Sequence, residues 1–251
     1  MSLAKPASYL RRCVEVFSGS GRWSKAMARV GWETHEWDIL HGDKHDLLNR
    51  ANQRRLFSLV VQCDWVHVAL PCCTYSTALR GQTVLRTREY PYGRPGLSSD
   101  QQKRVESHNR LLEFTLRLIR FCRRRNIGLS LENPSGSKLW GMPCLRKEAR
   151  HATRNVVDYC CFATAWRKRT CFMVWNSDAL KSLNAYRCTL SNGCCQNSGK
   201  PHQLLDGRAP GGKPWTLVAQ AYPKSLCRVI ATALDDAFDR KRLFGFRALV
   251  K

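Results

Sequence analysis

Trp65-Val66-His67-Val68-Ala69-Leu70-Pro71-Cys72-Cys73-Thr74-Tyr75-Ser76 decides how this chain is read. A short apolar run stopped by proline has the pattern of a parallel strand covered on both faces. A second such run, Ile127 to Leu131, leads into Glu132-Asn133-Pro134. A thiol and a carboxylate then stand at the carboxyl ends of two strands, where open α/β sheets build their sites. A cysteine nucleophile beside a proton-donating carboxylate is what covalent attack on a pyrimidine ring requires.

Outward from these strands the pattern alternates. Cys13 to Phe17 reads as a first strand, Ser18 to Gly21 as a tight turn, and Trp23 to Val30 as a helix ended by Gly31. Thr34 to Trp37 reads as a strand and Leu47 to Gln62 as a helix. Ser98-Ser99-Asp100 supplies caps for a long helix to about Arg125. Val156 to Ala163 and Thr170 to Asn176 read as strands, and Tyr222 to Phe238 as an amphipathic helix followed by a basic tail. Alternation of this kind predicts an α/β, Rossmann-like fold with a mainly parallel sheet and helices on both faces. Residues 1–176 are expected to form the catalytic domain. Residues 177–215, rich in Gly, Pro, Ser, Asn and Cys, are expected to form a small irregular Cys-rich module, for target recognition or zinc binding. Residues 216–251 provide a helix that packs back, plus the tail. Arg80 to Ser98 is long for a structureless connection and reads as an active-site lid.

The chain has 251 residues, with 42 Lys+Arg against 19 Asp+Glu, a net charge of +23. Such a balance favours a polyanionic partner, and nucleic acid first among them. Thirteen cysteines without a leader-like pattern in Met1 to Arg12 point to reduced thiols and an intracellular location, nucleus or bacterial cytoplasm. No run reaches transmembrane length, so no membrane is expected, and a monomer is.

Phe17-Ser18-Gly19-Ser20-Gly21 allows close backbone approach to a ligand ahead of a helix amino terminus. It lacks the full dinucleotide and P-loop spacings. Glu36-Trp37-Asp38 adds carboxylates for ribose hydroxyls and an indole for stacking, and Asp46 could accept from an adenine amino group. A nucleoside cofactor without phosphates fits, and S-adenosylmethionine is such a molecule.

With these residues in hand, the chain resembles the cytosine-C5 DNA methyltransferases over roughly residues 13 to 176. Phe17 to Gly21 is similar to the family's F-x-G-x-G cofactor turn, and Glu36-Trp37-Asp38 to its ribose and adenine contacts. Pro71-Cys72 resembles the Pro-Cys nucleophile motif, Glu132-Asn133-Pro134 the Glu-Asn-Val motif, and Arg167-Lys168-Arg169 the Arg-x-Arg of Gln-x-Arg-x-Arg. Ala165 stands where the glutamine would be, and the region after Asn176 is shorter than the usual target-recognition domain. No Gly-Asn-x-Val motif precedes the last helix, and Gln220-Ala221-Tyr222-Pro223 stands at that point.

The resemblance implies that Cys72 is the nucleophile, its pKa lowered by nearby positive charge. Glu132 would hold or protonate cytosine N3, and Arg169 with Arg167 would contact the cytosine oxygen or orient Glu132. Phe17, Ser18, Gly19, Ser20, Gly21, Glu36, Trp37, Asp38, Asp46 and Pro71 would bind S-adenosylmethionine. DNA is the expected partner. An RNA cytosine-C5 methyltransferase, or a catalytically weak methyltransferase-like nucleic-acid-binding protein, would share the same charge.

Cys188, Cys194, Cys195 and His202 are candidate ligands for a structural zinc in the irregular module. Cys73, Cys122, Cys160, Cys161 and Cys171 read as packing residues.

Overall fold

A computed structural model describes residues 10–248, without side-chain environments for Ser191 and 241–248. The start of the leader reading (residues 1–9) and the end of the basic tail (residues 249–251) lie outside the described residues.

Six strands form the main sheet: β1 (Arg12–Val16), β2 (Glu33–Trp37), β3 (Trp65–Val68), β4 (Gly128–Pro134), β5 (Thr153–Asp158) and β6 (Arg169–Trp175). Their order is β2-β1-β3-β4-β6-β5. β1 pairs in parallel with β2 and β3, and β3 with β4. β6 runs antiparallel between β4 and β5. The fold is therefore of the expected α/β, Rossmann-like class, with one reversed strand.

Strand alternation sorts the core into two layers. Val66 and Val68 of β3 and Leu129 and Leu131 of β4 face one layer. It is covered by α2 (Arg50–Val60), α3 (Ser99–Arg124) and α4 (Pro143–Ala149). Trp65 and Phe172 face the other, where α1 (Arg22–Arg29) packs. The last helices are a short α5 (Trp215–Val218) and a long α6 (Lys224–Ala248). Leu226, Cys227, Ile230 and Leu234 of α6 join the second layer. Trp65 lies flat where Gly128 has no side chain, and a Cβ at Gly128 would strike the indole. Overpacking of that kind typically costs about 1–3 kcal/mol.

Local signals explain most boundaries. Ser98 caps α3 in a reciprocal box with Gln101, accepting from the Gln101 N–H while Gln101 accepts from the Ser98 N–H. Such a cap contributes about 1 kcal/mol. The strand expected over Val156 to Ala163 stops at Asp158, and a 3-10 turn, Tyr159–Phe162, follows. The final helix continues to Ala248, through the first part of the expected basic tail. Between Ser177 and Pro214 the regular strands are β7 (Leu190–Ser191) and β8 (Cys194–Cys195), two residues each.

The long loop after Cys72 is tied down rather than free. Arg86 is fully buried and donates to Thr74 Oγ1, the Pro91 carbonyl, Asn109 Oδ1 and the Val105 carbonyl. Its guanidinium also lies 4.2 Å from the Tyr75 ring centroid. Arg80, Arg88, Tyr90 and Tyr92 remain exposed on the outside of this anchored loop. Among the described residues no helix is long and apolar enough to cross a membrane.

Candidate active site

Parallel register brings the ends of β1, β2, β3 and β4 to one edge: Val16 pairs with Trp37 and with Val68, and Val68 with Leu131. The turn after β1, the acids after β2, Pro71-Cys72 and Glu132-Asn133 all emerge there.

The glycine turn is held in an unusual backbone. Phe17, Gly19 and Gly21 have φ of 61°, 51° and 60°, a region that disfavours most side chains. The Phe17 N–H donates to the Trp37 carbonyl at 2.7 Å, joining the turn to β2. At Gly21 a Cβ would come within 2.5 and 2.6 Å of the Glu36 carboxylate oxygens, so glycine is required for Glu36 to reach over the turn. Asp38 is used structurally: Oδ2 accepts from the Gly19 N–H and Oδ1 from the Leu40 N–H, both at 2.9 Å. Of the two acids, Glu36 is the one whose carboxylate is left for a ligand, with His41 Nε2 3.8 Å away.

The expected stacking role of Trp37 does not fit. Its indole is 6% exposed, packed edge-on against His45 at 5.0 Å with the Arg55 guanidinium 5.5 Å from its centre. Asp46 Oδ1 closes a local turn by accepting from the Leu48 N–H at 2.8 Å. Ser18 is buried, whereas Ser20 is exposed beside the turn.

Asn133 Nδ2 donates to the Leu70 carbonyl at 2.7 Å, and this pins the Glu-Asn strand end to the Pro-Cys strand end. Cys72 is half-buried. Its charged neighbours are Lys168, which pulls the thiol pKa down, and Glu132, which pushes it up. Burial is the larger effect, and the thiol sits above its ordinary value. The expected lowering by positive charge is thus overturned by desolvation. Cys73 turns away to α3, with Sγ 3.5 Å from His108 Nε2.

Glu132 terminates a buried polar chain that no single segment of sequence displays. The Trp65 indole N–H donates to Ser130 Oγ at 3.1 Å, and Ser130 Oγ lies 2.8 Å from His67 Nδ1. His67 Nε2 is 3.0 Å from the Tyr222 hydroxyl, which donates to Glu132 Oε2 at 3.0 Å. Burial holds His67 down to about 3, so the ring is neutral. Every donor then finds an acceptor if Ser130 donates to Nδ1 and Nε2–H donates to Tyr222. Glu132 Oε1, by contrast, is buried without a hydrogen-bond partner among the described residues, as is Asn133 Oδ1. Lys168 Nζ is 3.9 Å from Glu132 Oε1. Burial raises the Glu132 carboxyl pKa, against smaller lowering by Lys168 and Tyr222.

The arginines behave otherwise than expected. Arg169 donates to Asp158 from Nε at 2.9 Å and from its terminal nitrogen at 3.1 Å. Arg167 Nε is 3.5 Å from Asp158 Oδ1, and Arg187 Nε is 3.7 Å from Oδ2. Lys168 faces Glu132 instead, because consecutive residues entering an extended strand project to opposite sides. Three guanidiniums around one fully buried carboxylate leave surplus positive charge beside the strand end. Tyr222 and Lys168 were missed as site residues. Only the position of Gln220 to Pro223 before the last helix marked the first of them.

The proposed zinc ligands also need correction. Ligand atoms of Cys160, Cys188, Cys195 and His202 all lie within 4.8 Å of one another, and Cys194 is not among them. Cys194 and Cys195 are neighbours on β8, so their side chains point to opposite sides and only Cys195 is buried. Cys160 reaches the cluster from the 3-10 turn after β5.

No protein-family model and no curated protein matches this sequence. Among solved structures, the chain is similar to the Entamoeba histolytica methyltransferase EhMeth, with 12% identity and a TM-score of 0.41. The alignment covers 68% of this chain and 54% of that one, so the chain spans about half the length of that protein.

Proposed function

We propose that this chain transfers a methyl group from S-adenosylmethionine to C5 of cytosine in DNA through a covalent bond between Cys72 and C6. The observation that carries the reading is that Glu132 Oε1, buried without a hydrogen bond among the described residues, lies at the β4 end next to the β3 end that presents Cys72. A polar atom left bare in the interior costs roughly 1–3 kcal/mol, which a substrate able to hydrogen-bond there would offset. The N3 edge of cytosine is such a group.

Residues fit the cofactor. The turn through Gly19 and Gly21 gives close backbone approach, and the Glu36 carboxylate above Gly21 suits ribose hydroxyls. Bound S-adenosylmethionine supplies an electrophilic methyl group.

Cys72 as thiolate adds to C6, and the electron pair of the C5–C6 double bond moves toward N3. Glu132 in its protonated form donates at N3 and neutralises that charge, consistent with a carboxyl pKa raised by burial. A protonated Glu132 also ceases to oppose ionisation of Cys72 and leaves Lys168 as the charge facing the thiolate. Tyr222, backed by His67 and Ser130, fixes the Glu132 rotamer through Oε2. After C5 is methylated, water takes the C5 proton, the C6–S bond breaks to release the Cys72 thiolate, and the N3 proton returns to Glu132, which restores both the ring and the acid. None of these atoms is reachable inside a base stack, so the cytosine must flip out. The net charge of +23 suits the backbone that remains outside.

The test is transfer of labelled methyl to duplex DNA and to tRNA by wild type and by Cys72→Ala, with trapping on 5-fluorocytosine DNA. The expected result is labelled DNA and a stable adduct, both lost in Cys72→Ala. Transfer to tRNA alone overturns the DNA assignment. Wild type that binds DNA yet is as inert as the variant overturns the enzymatic one.

A further inference from the structure

We propose that Cys160, Cys188, Cys195 and His202 hold one tetrahedral structural zinc ion that fastens the irregular segment to the end of β5. This stands independently of the chemistry at Cys72.

Distances come first. Cys188 Sγ is 3.7 Å from Cys195 Sγ and 3.7 Å from His202 Nε2. Zinc bonds of about 2.3 Å to sulfur and 2.0–2.1 Å to nitrogen, at tetrahedral angles, separate two sulfurs by about 3.8 Å and sulfur from nitrogen by about 3.6 Å. A disulfide would bring two sulfurs to about 2.05 Å, and all thirteen cysteines are free. These two separations match ligands around a common centre, and all four ligand atoms lie within 4.8 Å of one another.

Composition is the second argument. The buried cluster of this region consists of Cys160, Cys188 and Cys195, with Cys161 packed against it. Three thiols cannot supply the hydrophobic core of a segment whose strands are two residues long. Small units of this kind take their folding energy from a metal. Three thiolates and an imidazole form a soft set that suits zinc, and four protein ligands leave no open position, so the site is structural.

Position gives the metal its task. Cys160 follows Asp158 by two residues in sequence, and the Cys188 N–H donates to Asp158 Oδ2 at 2.9 Å. The same carboxylate holds Arg167, Arg169 and Arg187. The zinc therefore locks the point where three guanidiniums converge at the sheet edge.

Metal analysis of the full chain, purified under reducing conditions, tests this. About one zinc per chain is expected, lost in Cys160→Ala and retained in Cys194→Ala. A mutation-free arm uses alkylation of the wild-type protein. Cys160, Cys188 and Cys195 should be protected until a strong chelator is added, whereas Cys194 reacts in both conditions. Cobalt in place of zinc should give the absorption of a tetrahedral thiolate site. Absence of metal with all four thiols reactive overturns the proposal. So does a Cys188–Cys195 disulfide, or zinc that survives Cys160→Ala and leaves with Cys194→Ala.

Discussion

Cys72 and Cys195 carry the same functional group in opposite electrostatic settings. Burial keeps the Cys72 thiol above its ordinary value, with one cation and one carboxylate contending beside it. At Cys195 burial also acts upward, but the backbone N–H groups of Asn197 and Ser198 and neighbouring side-chain bonds bring it down to about 6. Thiolate character at rest therefore belongs to Cys195 within the cluster, where burial and the neighbouring thiols push Cys160 the other way, and burial favours the protonated form of the proposed nucleophile. The difference is between a ligand that must be ionised permanently and a nucleophile that must not react early.

The largest expected effect breaks this comparison at Cys72. Cys72→Ala should lower methyl transfer by at least about 10³-fold, since it removes the thiol proposed to form the covalent bond. Cys73→Ala should stay within about threefold, because its sulfur faces His108. Equal losses in the two variants, measured with labelled cofactor, would remove the distinction between the thiols.

Next comes the cluster. Stripping metal with a strong chelator should lower the melting temperature by about 10 °C, the effect of losing about 3–5 kcal/mol in a chain of this size. Calorimetry with zinc added back checks it; an unchanged melting curve would leave Cys195 as an ordinary thiol.

A smaller effect sharpens the Glu132 side. Tyr222→Phe removes the hydroxyl that donates to Glu132 Oε2 and accepts from His67. The turnover number should fall about tenfold for the loss of one buried hydrogen bond of about 1.4 kcal/mol that positions Glu132. The limb of the pH–rate profile that reports Glu132 should move upward, since the Tyr222 bond lowers that pKa. A rate loss with an unmoved limb would make Tyr222 a packing residue.

A separate effect is on stability at acid pH. His67 is held down to about 3 in the folded protein, against about 6.5 unfolded. Unfolding takes up a proton below the unfolded value, so its contribution is complete above pH 6.5 and is lost as pH falls toward 3. Acid denaturation of His67→Gln should be shallower across that window, measured by circular dichroism.

Much of this arrangement was legible in the chain. Prolines and glycines end strands at Phe17 to Gly21, at Pro71 and at Pro134, and the pattern of apolar runs fixes which residues follow a strand. That was enough to bring Cys72, Glu132 and Glu36 to one edge as candidates. It was not enough to choose between Glu36 and Asp38, because the choice rests on which acid the Gly19 and Leu40 N–H groups engage. Lys168, rather than its arginine neighbours, faces Glu132 because of the side it takes entering β6. Cys160 replaces Cys194 because a turn after β5 and the two-sidedness of β8 are properties of space, not spacing.

By itself the sequence determined the α/β alternation, the strand ends that carry chemistry, and the strong positive charge. These depend on local periodicity and composition. Tertiary structure alone decided which side chains meet: Tyr222 with Glu132 across 90 residues, and Cys160 with His202. Such contacts are set by packing of distant segments, whose energies no local pattern encodes.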